Sequence, residues 1–138
     1  MTAPAQAAVA DRTATSEQTW IPPWLRAEGA ATFAAGLVGF LFLGLPWWAF
    51  VLFLLVPDVS AIGYLRSPRV GAIVYNLAHD LATGVAVAGL GLAIGSVPLA
   101  AAGAILVAHS GMDRMAGYGL KLPDAFKHTH LGWIGRGH

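Results

Sequence analysis

Residues 46–64 read PWWAFVLFLLVPDVSAIGY, and this stretch decides the class of fold. It contains a single charged side chain, Asp58, close to its carboxyl end. Its length is near the roughly 20 residues that a helix needs to cross about 30 Å of hydrocarbon. The stretch therefore predicts a membrane-spanning helix.

Three further apolar stretches lie on either side of it, at about residues 24–44, 70–94 and 97–117. The whole chain of 138 residues is 57% apolar and 11% charged, which is typical of a membrane protein and not of a soluble domain. Very short connections join the first stretch to the second and the third to the fourth. The sequence thus predicts an all-α, integral membrane four-helix bundle made of two hairpins.

The basic residues indicate how such a bundle is oriented. The connections around Pro46 and around residues 95–98 carry no charge. All lysines and arginines fall at the opposite ends of the predicted spans: Arg12, Arg26, Arg66, Arg69, Arg114, Lys121, Lys127 and Arg136. By the positive-inside rule, this asymmetry predicts a multi-pass protein of the cytoplasmic (inner) membrane with both termini in the cytoplasm.

The two ends of the chain differ from its centre. Residues 1–19 are predicted to be a disordered tail, residues 20–118 the transmembrane domain, and residues 119–138 an interfacial segment that could fold back over the inner mouth of the bundle. The chain has no cysteine, which excludes disulfides and thiol chemistry. A net charge of +1 gives no indication of a nucleic-acid partner. The expected partners are membrane lipids and a further copy of the chain in a homo-oligomer.

Several ionisable side chains fall inside the predicted spans, at a cost of roughly 2.5–3.5 kcal/mol each on insertion scales. At about 1.5 Å per residue, His79 and His109 reach similar depths in neighbouring antiparallel spans. Asp113 lies one turn from His109 on the same face, and Asp58 follows Pro57 in the second span. The predicted catalytic residues, which would also be the ligands of any bound metal, are Asp58, His79, His109 and Asp113.

Further polar side chains are predicted in the same half of the membrane. Tyr75 and Asn76 share a helical face with His79, and Glu28 opens the first span. Glu28 and Asn76 are expected to position a substrate, while Arg114 and Tyr118 polarise it and Arg114 supplies a counter-charge to Asp113. The competing explanation is that these groups only hydrogen-bond helices together, at about 0.6 kcal/mol per bond. All four spans contribute an ionisable or polar side chain, which is costly to insert, to the same half of the bilayer, and this favours a functional site over packing alone.

Five motifs resemble those of a known family. They are LRAEG at 25–29, PDVS at 57–60 with Gly63 and Tyr64, YNLAH at 75–79, AHSGMDRMAGYGLK at 108–121 and FKHTHLG at 126–132. Over about residues 25–135 the chain resembles the bacterial membrane family catalogued as domain of unknown function 4260. The resemblance implies a compact four-helix membrane protein and adds Thr129 and His130, with His130 capping the cavity and binding substrate. Ser110 and Leu122 depart from the family pattern, and neither is expected to touch the site.

The residues predict an integral membrane enzyme that acts on a hydrophobic, lipid-soluble small molecule. One mechanism is acid–base chemistry without a cofactor, such as cyclisation, epoxide opening or isomerisation. The other is hydrolysis assisted by a divalent metal such as zinc. Acid–base chemistry is slightly favoured here because the chain has no HExxH-type motif. The alternatives to an enzyme are a small proton- or cation-handling protein and a subunit of a larger membrane complex.

Overall fold

A computed structural model describes residues 23–135, which are mostly helical up to Ala116. The elements are α1 (Pro23–Phe42), α2 (Trp47–Phe53), a 3₁₀ helix (Val56–Leu65), α3 (Pro68–His79), α4 (Leu81–Ala93), α5 (Val97–Ala116), β1 (His128–Thr129) and β2 (Gly132–Trp133). The all-α prediction is confirmed. The predicted tail at residues 1–19, with Arg12, and the terminal Arg136 lie outside the described residues.

Length and composition identify a membrane protein with two or three candidate spans within residues 23–135. α1 and the segment Trp47–Leu65 each qualify, and α3 with α4 would form a third span that is bent by 50°. Large apolar side chains point outward along these segments, with Leu52 62%, Phe42 86% and Leu65 87% exposed, as suits a lipid-facing surface. α5, predicted as the fourth span, has the length but is not among these candidates, because polar residues occupy its carboxyl-terminal half.

α5 is the central helix of the fold, with α1 packed along one side and α4 along another. Small residues allow this close approach. A Cβ atom added to Gly36 of α1 would lie 2.5 Å from the backbone nitrogen of Ala108, and Gly103 of α5 lies directly against Ala88 of α4. The backbones of α1 and α4 therefore approach α5 closely at these small residues.

The second predicted span changes helix type midway. α2 ends at Phe53, and beyond it the amide of Asp58 donates to the carbonyl of Leu55, at 3.2 Å, in the 3₁₀ pattern. Pro57, which has no amide hydrogen, lies at this change. The carbonyl of Leu54 is thereby released from the α-helical pattern and becomes available to another helix.

The segment predicted as the third span, about residues 70–94, is two helices that break at Asp80 and together form one bent candidate span. Asp80 adopts an extended conformation with φ −85° and ψ 130°. Its carboxylate accepts hydrogen bonds from the backbone amide and the hydroxyl of Thr83, at 3.2 and 3.3 Å. Asp80 is thus the N-cap of α4, and the break leaves His79 as the last residue of α3.

The segment after α5 returns to the bundle. Gly117, with φ 94°, ends the helix in the left-handed conformation. Further along, the amide of Asn76 in α3 forms two hydrogen bonds with the backbone of Lys121: its nitrogen donates to the carbonyl at 2.9 Å, and its oxygen accepts from the amide at 2.7 Å. The segment is therefore attached to α3, and the short β1–β2 hairpin completes it.

Candidate metal centre

The four residues predicted to be catalytic lie together, contributed by the 3₁₀ helix, α3 and α5. The Nε2 atoms of His79 and His109 are 2.9 Å apart. Asp58 Oδ1 lies 3.3 Å from the first and 3.4 Å from the second. Both imidazoles are fully buried, whereas the Asp58 side chain is 51% exposed, so the cluster is closed on the histidine side and open beside Asp58.

Hydrogen bonds fix the tautomer of both histidines. His79 Nδ1 lies 2.8 Å from the carbonyl oxygen of Tyr75, and His109 Nδ1 lies 2.8 Å from that of Leu54. A carbonyl oxygen can only accept, so each Nδ1 must carry a proton and donate it. In the neutral rings both Nε2 atoms then present lone pairs, and these face each other. Such a contact is repulsive unless a cation lies between the two nitrogens.

The cation that fits best is a metal ion. The Nε2 atoms and Asp58 Oδ1 form a nearly equilateral triangle with sides of 2.9, 3.3 and 3.4 Å. Ligands bound at about 2.0–2.1 Å around tetrahedral zinc are about 3.3 Å apart. A proton held between the two nitrogens, with the Asp58 carboxylate as its counter-ion, would also relieve this repulsion, but it does not require three nearly equal distances. A hydrogen bond from the second ring nitrogen to a carbonyl oxygen is also the usual way in which proteins orient a histidine ligand.

Asp113 lies just beyond this triangle and is almost buried. Its Oδ2 is 3.8 Å from His79 Nε2, and its Oδ1 is 3.9 Å from His109 Nε2. The hydroxyl of Tyr75 donates to Oδ2 at 3.2 Å, and the Tyr75 ring stacks on the His79 ring with centroids 3.5 Å apart. At these distances Asp113 can be a fourth ligand, or can accept a proton from a water molecule held at the triangle.

Ser110 contacts the site, contrary to the expectation from the sequence. Its hydroxyl donates to the carbonyl of His79 at 2.9 Å. The break at Asp80 is the reason. In a continuous helix the amide of Thr83 would donate to the His79 carbonyl, but here it donates to the Asp80 carboxylate. Ser110 therefore stabilises the backbone of a residue whose side chain belongs to the cluster.

Lys121 is a residue of the site region that the sequence analysis missed as a functional group. Its side chain is only 4% exposed. The ammonium lies 4.9 Å from the centroid of the Tyr75 ring and 4.2 Å from that of Phe126. Burial lowers the pKa of this lysine, while the charges of Asp113 and Asp58 act in the opposite direction. A signal for it existed in Asn76, since an amide within a span requires hydrogen-bond partners.

Glu28 and Arg114 lie on the other side of α5 from the histidines. Together with Thr32 and Ser110 they line a separate small pocket of about 90 Å³. Arg114 Nη1 donates to the carbonyl of Tyr118 at 3.1 Å. Within residues 23–135, Arg114 forms no ion pair of 4 Å or less with Asp113, so the predicted counter-charge is not in contact with that carboxylate.

The remaining predicted binding residues lie in or next to the carboxyl-terminal segment. Tyr118 is 44% exposed just after α5. His130 Nδ1 accepts from the amide of Leu120 at 2.9 Å, and burial, followed by the charge of Arg114, lowers the pKa of its imidazole. Thr129 is buried and donates to a carbonyl of the hairpin. These residues contact the carboxyl-terminal segment itself and are not part of the histidine cluster. Their role in binding stays a prediction.

His128 in the same segment is held away from the cluster. Its Nδ1 pairs with Asp124 Oδ2 at 2.6 Å, and its ring stacks on Trp133 with centroids 4.4 Å apart. This hydrogen bond lowers the pKa of the Asp124 carboxyl. His128 and Asp124 are thus a histidine and an aspartate of the same chain that lie outside the candidate centre.

Comparison with known proteins identifies one family. The sequence profile described as Domain of unknown function (DUF4260) matches residues 23–134. No curated protein and no solved structure matches the chain. The match covers every element that contributes to the cluster.

Proposed function

Since the chain belongs to this family, whose description assigns no reaction, we propose a function from the site itself: an integral membrane metalloenzyme that hydrolyses a lipid-soluble small molecule. Its ligands are His79, His109 and Asp58, with Asp113 as the fourth ligand or the base. The observation that carries this proposal is the triangle of three ligand atoms within 4.8 Å of one another, two of them on buried imidazoles.

The proposal includes the finer topology predicted from the sequence. Four spans with both termini in the cytoplasm would place the charged ends of the helices, and the cluster, in the inner half of the cytoplasmic membrane. Arg66, just before α3, and Arg69, in its first turn, support this orientation. The substrate would then enter from the inner leaflet, on the side where Asp58 is exposed.

The chemistry follows from the arrangement of the side chains. His79, His109 and Asp58 would hold a divalent ion, which would supply Lewis acidity to the reaction. Asp113, whose carboxylate accepts a hydrogen bond from the Tyr75 hydroxyl, would take a proton from the attacking water molecule. The same carboxyl then returns the proton to the leaving group as the substrate bond breaks, so the proton balance closes within one turnover. Acid–base chemistry by Asp113 is thus retained, in combination with a metal.

Metal analysis with matched variants tests the proposal. Purified protein should bind close to one equivalent of zinc after loading and desalting, and His79→Ala and His109→Ala should lose it. His128→Ala is the control, because that ring is bound to Asp124 and Trp133, outside the centre. Retention of zinc by both site variants, or its absence from the loaded wild-type protein, would contradict a metal centre.

A second measurement separates the enzyme from a proton-handling protein. The protein is reconstituted in liposomes with a pH-sensitive dye inside. The metalloenzyme proposal expects no proton flux above that of empty liposomes. Flux that disappears in His109→Ala would replace this proposal with proton or cation handling.

A further inference from the structure

Lys121 is a buried cation whose charge is not matched by a neighbouring carboxylate. Within residues 23–135 its ammonium forms no ion pair of 4 Å or less with a carboxylate, and it lies 4.9 Å from the centroid of the Tyr75 ring and 4.2 Å from that of Phe126. Aromatic faces attract a cation, but they do not accept its three N–H donors as oxygen atoms do. A buried ammonium arranged in this way keeps the capacity to bind an anion.

The ammonium lies next to the metal centre. The Tyr75 ring stacks on His79, donates its hydroxyl to Asp113 and contacts the Lys121 ammonium. Only one aromatic ring therefore separates Lys121 from the ligands. The position is also fixed, because Asn76 holds the Lys121 backbone on both sides.

The charge of the loaded centre calls for an anion. Asp58 and Asp113 carry two negative charges and Lys121 one positive charge, so the side chains leave one negative charge. A divalent ion changes this balance to one positive charge. In a medium of low dielectric constant an unmatched charge is costly, and one anionic group bound by Lys121 beside the centre would neutralise it.

A cavity of about 460 Å³ lies beside the part of α5 that precedes His109. It is lined by apolar side chains, among them Phe40, Phe53 and Leu106. Two other lining residues connect it to the ligands: Pro57 directly precedes Asp58, and Ile105 lies one helical turn before His109. Its volume is within the range of about 300–1,000 Å³ that is usual for small-molecule sites.

We propose that the substrate is an anionic single-chain amphiphile, whose apolar chain occupies this cavity and whose phosphate or carboxylate group is bound by Lys121. Along α5 the order is cavity, His109, Asp113 and then the Lys121 segment. This order corresponds to a lipid of the inner leaflet with its head group toward the cytoplasm. The inference rests on the proposed metal centre, which supplies the positive charge.

Binding of small amphiphiles tests this inference. Zinc-loaded protein in phosphatidylcholine nanodiscs is titrated with decyl phosphate, decanoate and decanol, and partitioning into empty nanodiscs is subtracted. The wild-type protein should bind at least one of the two anions about tenfold or more tightly than decanol, as expected for a charge-assisted hydrogen bond. Whichever of decyl phosphate and decanoate binds more tightly identifies the head group.

Three variants at two lysines of the same segment provide the contrast. Lys121→Met should lose the preference for anions and Lys121→Arg should largely keep it. Lys127→Met, which removes an exposed charge, should bind as the wild type does. The zinc content of every sample is measured in parallel, so a folded and loaded Lys121→Met protein is recognised as such.

The outcomes separate this inference from the proposed function. Equal binding of decanol and both anions by zinc-loaded wild-type protein would overturn the inference and leave the metal centre intact. An unchanged preference for anions in zinc-loaded Lys121→Met would do the same. A wild-type protein that binds no zinc would overturn both, because the positive charge on which the inference rests would be missing.

Discussion

Ser110→Ala is the change that tests most directly whether the helix break serves the metal centre. The Ser110 side chain is 1% exposed, and its hydroxyl donates to the carbonyl of His79 at 2.9 Å. Removal of the hydroxyl leaves that buried carbonyl without its donor, at a cost of about 1–3 kcal/mol in the free energy of unfolding. For a chain of this size that corresponds to a fall of several degrees in the melting temperature.

The effect on metal binding should be separate from the effect on stability. Loss of a group that orients a histidine ligand typically reduces metal affinity about 10- to 100-fold. Ser110 acts through the backbone of His79, so we expect about a tenfold increase in the zinc dissociation constant. The assay is competition with a chelating dye for zinc, combined with thermal unfolding of the zinc-free protein in the same detergent.

Ser96→Ala is the matched control. Ser96 is the N-cap of α5, and its hydroxyl oxygen accepts from the amide of Leu99 at 3.4 Å. Its loss should cost about 0.5–2 kcal/mol at the opposite end of the helix from Ser110, without a change in zinc affinity. If Ser110→Ala lowers stability but binds zinc as tightly as Ser96→Ala and the wild type, the break at His79 does not orient the ligand.

Two further predictions concern the packing of α1 and the attachment of the carboxyl-terminal segment. Gly36→Ala should lower the melting temperature markedly, because the added Cβ would collide with the backbone of α5. Gly39→Ala should not, because no described atom lies within 4 Å of its Cβ. Equal effects of the two changes would contradict the α1–α5 contact. His130 Nδ1 accepts a hydrogen bond only when it is unprotonated, and its pKa in the folded protein lies below its ordinary value of 6.5. The stability that this hydrogen bond to the Leu120 amide contributes should therefore be complete above pH 6.5 and be lost as the pH falls through the lower pKa of the folded protein. The measurement is hydrogen exchange, in which the Leu120 amide should lose protection at low pH. His130→Gln should remove this pH dependence.

The meeting of His79 and His109 could be predicted from the sequence for a simple physical reason. The helical rise fixes the depth of a residue once the ends of its span are known, and the uncharged connections and basic flanks indicate those ends. His79 and His109, at equal depth on neighbouring helices, are then expected to lie close together, with Asp113 one turn from His109. Their role as ligands or catalysts follows from chemistry and is tested by the variants above.

The two breaks in the helices could not be predicted from hydropathy, because each lies within a longer stretch whose overall composition is apolar. A local signal was present at each. Asp80 followed by Thr83 is an N-cap pattern, and Pro57 cannot donate the amide hydrogen that a continuing α-helix requires. The position of Lys121 was indicated only indirectly, by the need of the Asn76 amide for hydrogen-bond partners, since no periodic pattern relates an irregular segment to the helix on which it packs.

Both irregular backbone segments lead to the same cluster, and this convergence is an argument for a site. A hydrocarbon environment penalises every carbonyl that leaves the helical pattern, unless protein or a cavity satisfies it. Here the carbonyl released at Leu54 accepts from His109 and the one released at His79 accepts from Ser110. Continuous helices would satisfy these groups without a tertiary contact, so packing alone gives no reason for either break. Orientation of two buried imidazoles toward one point gives a reason for both.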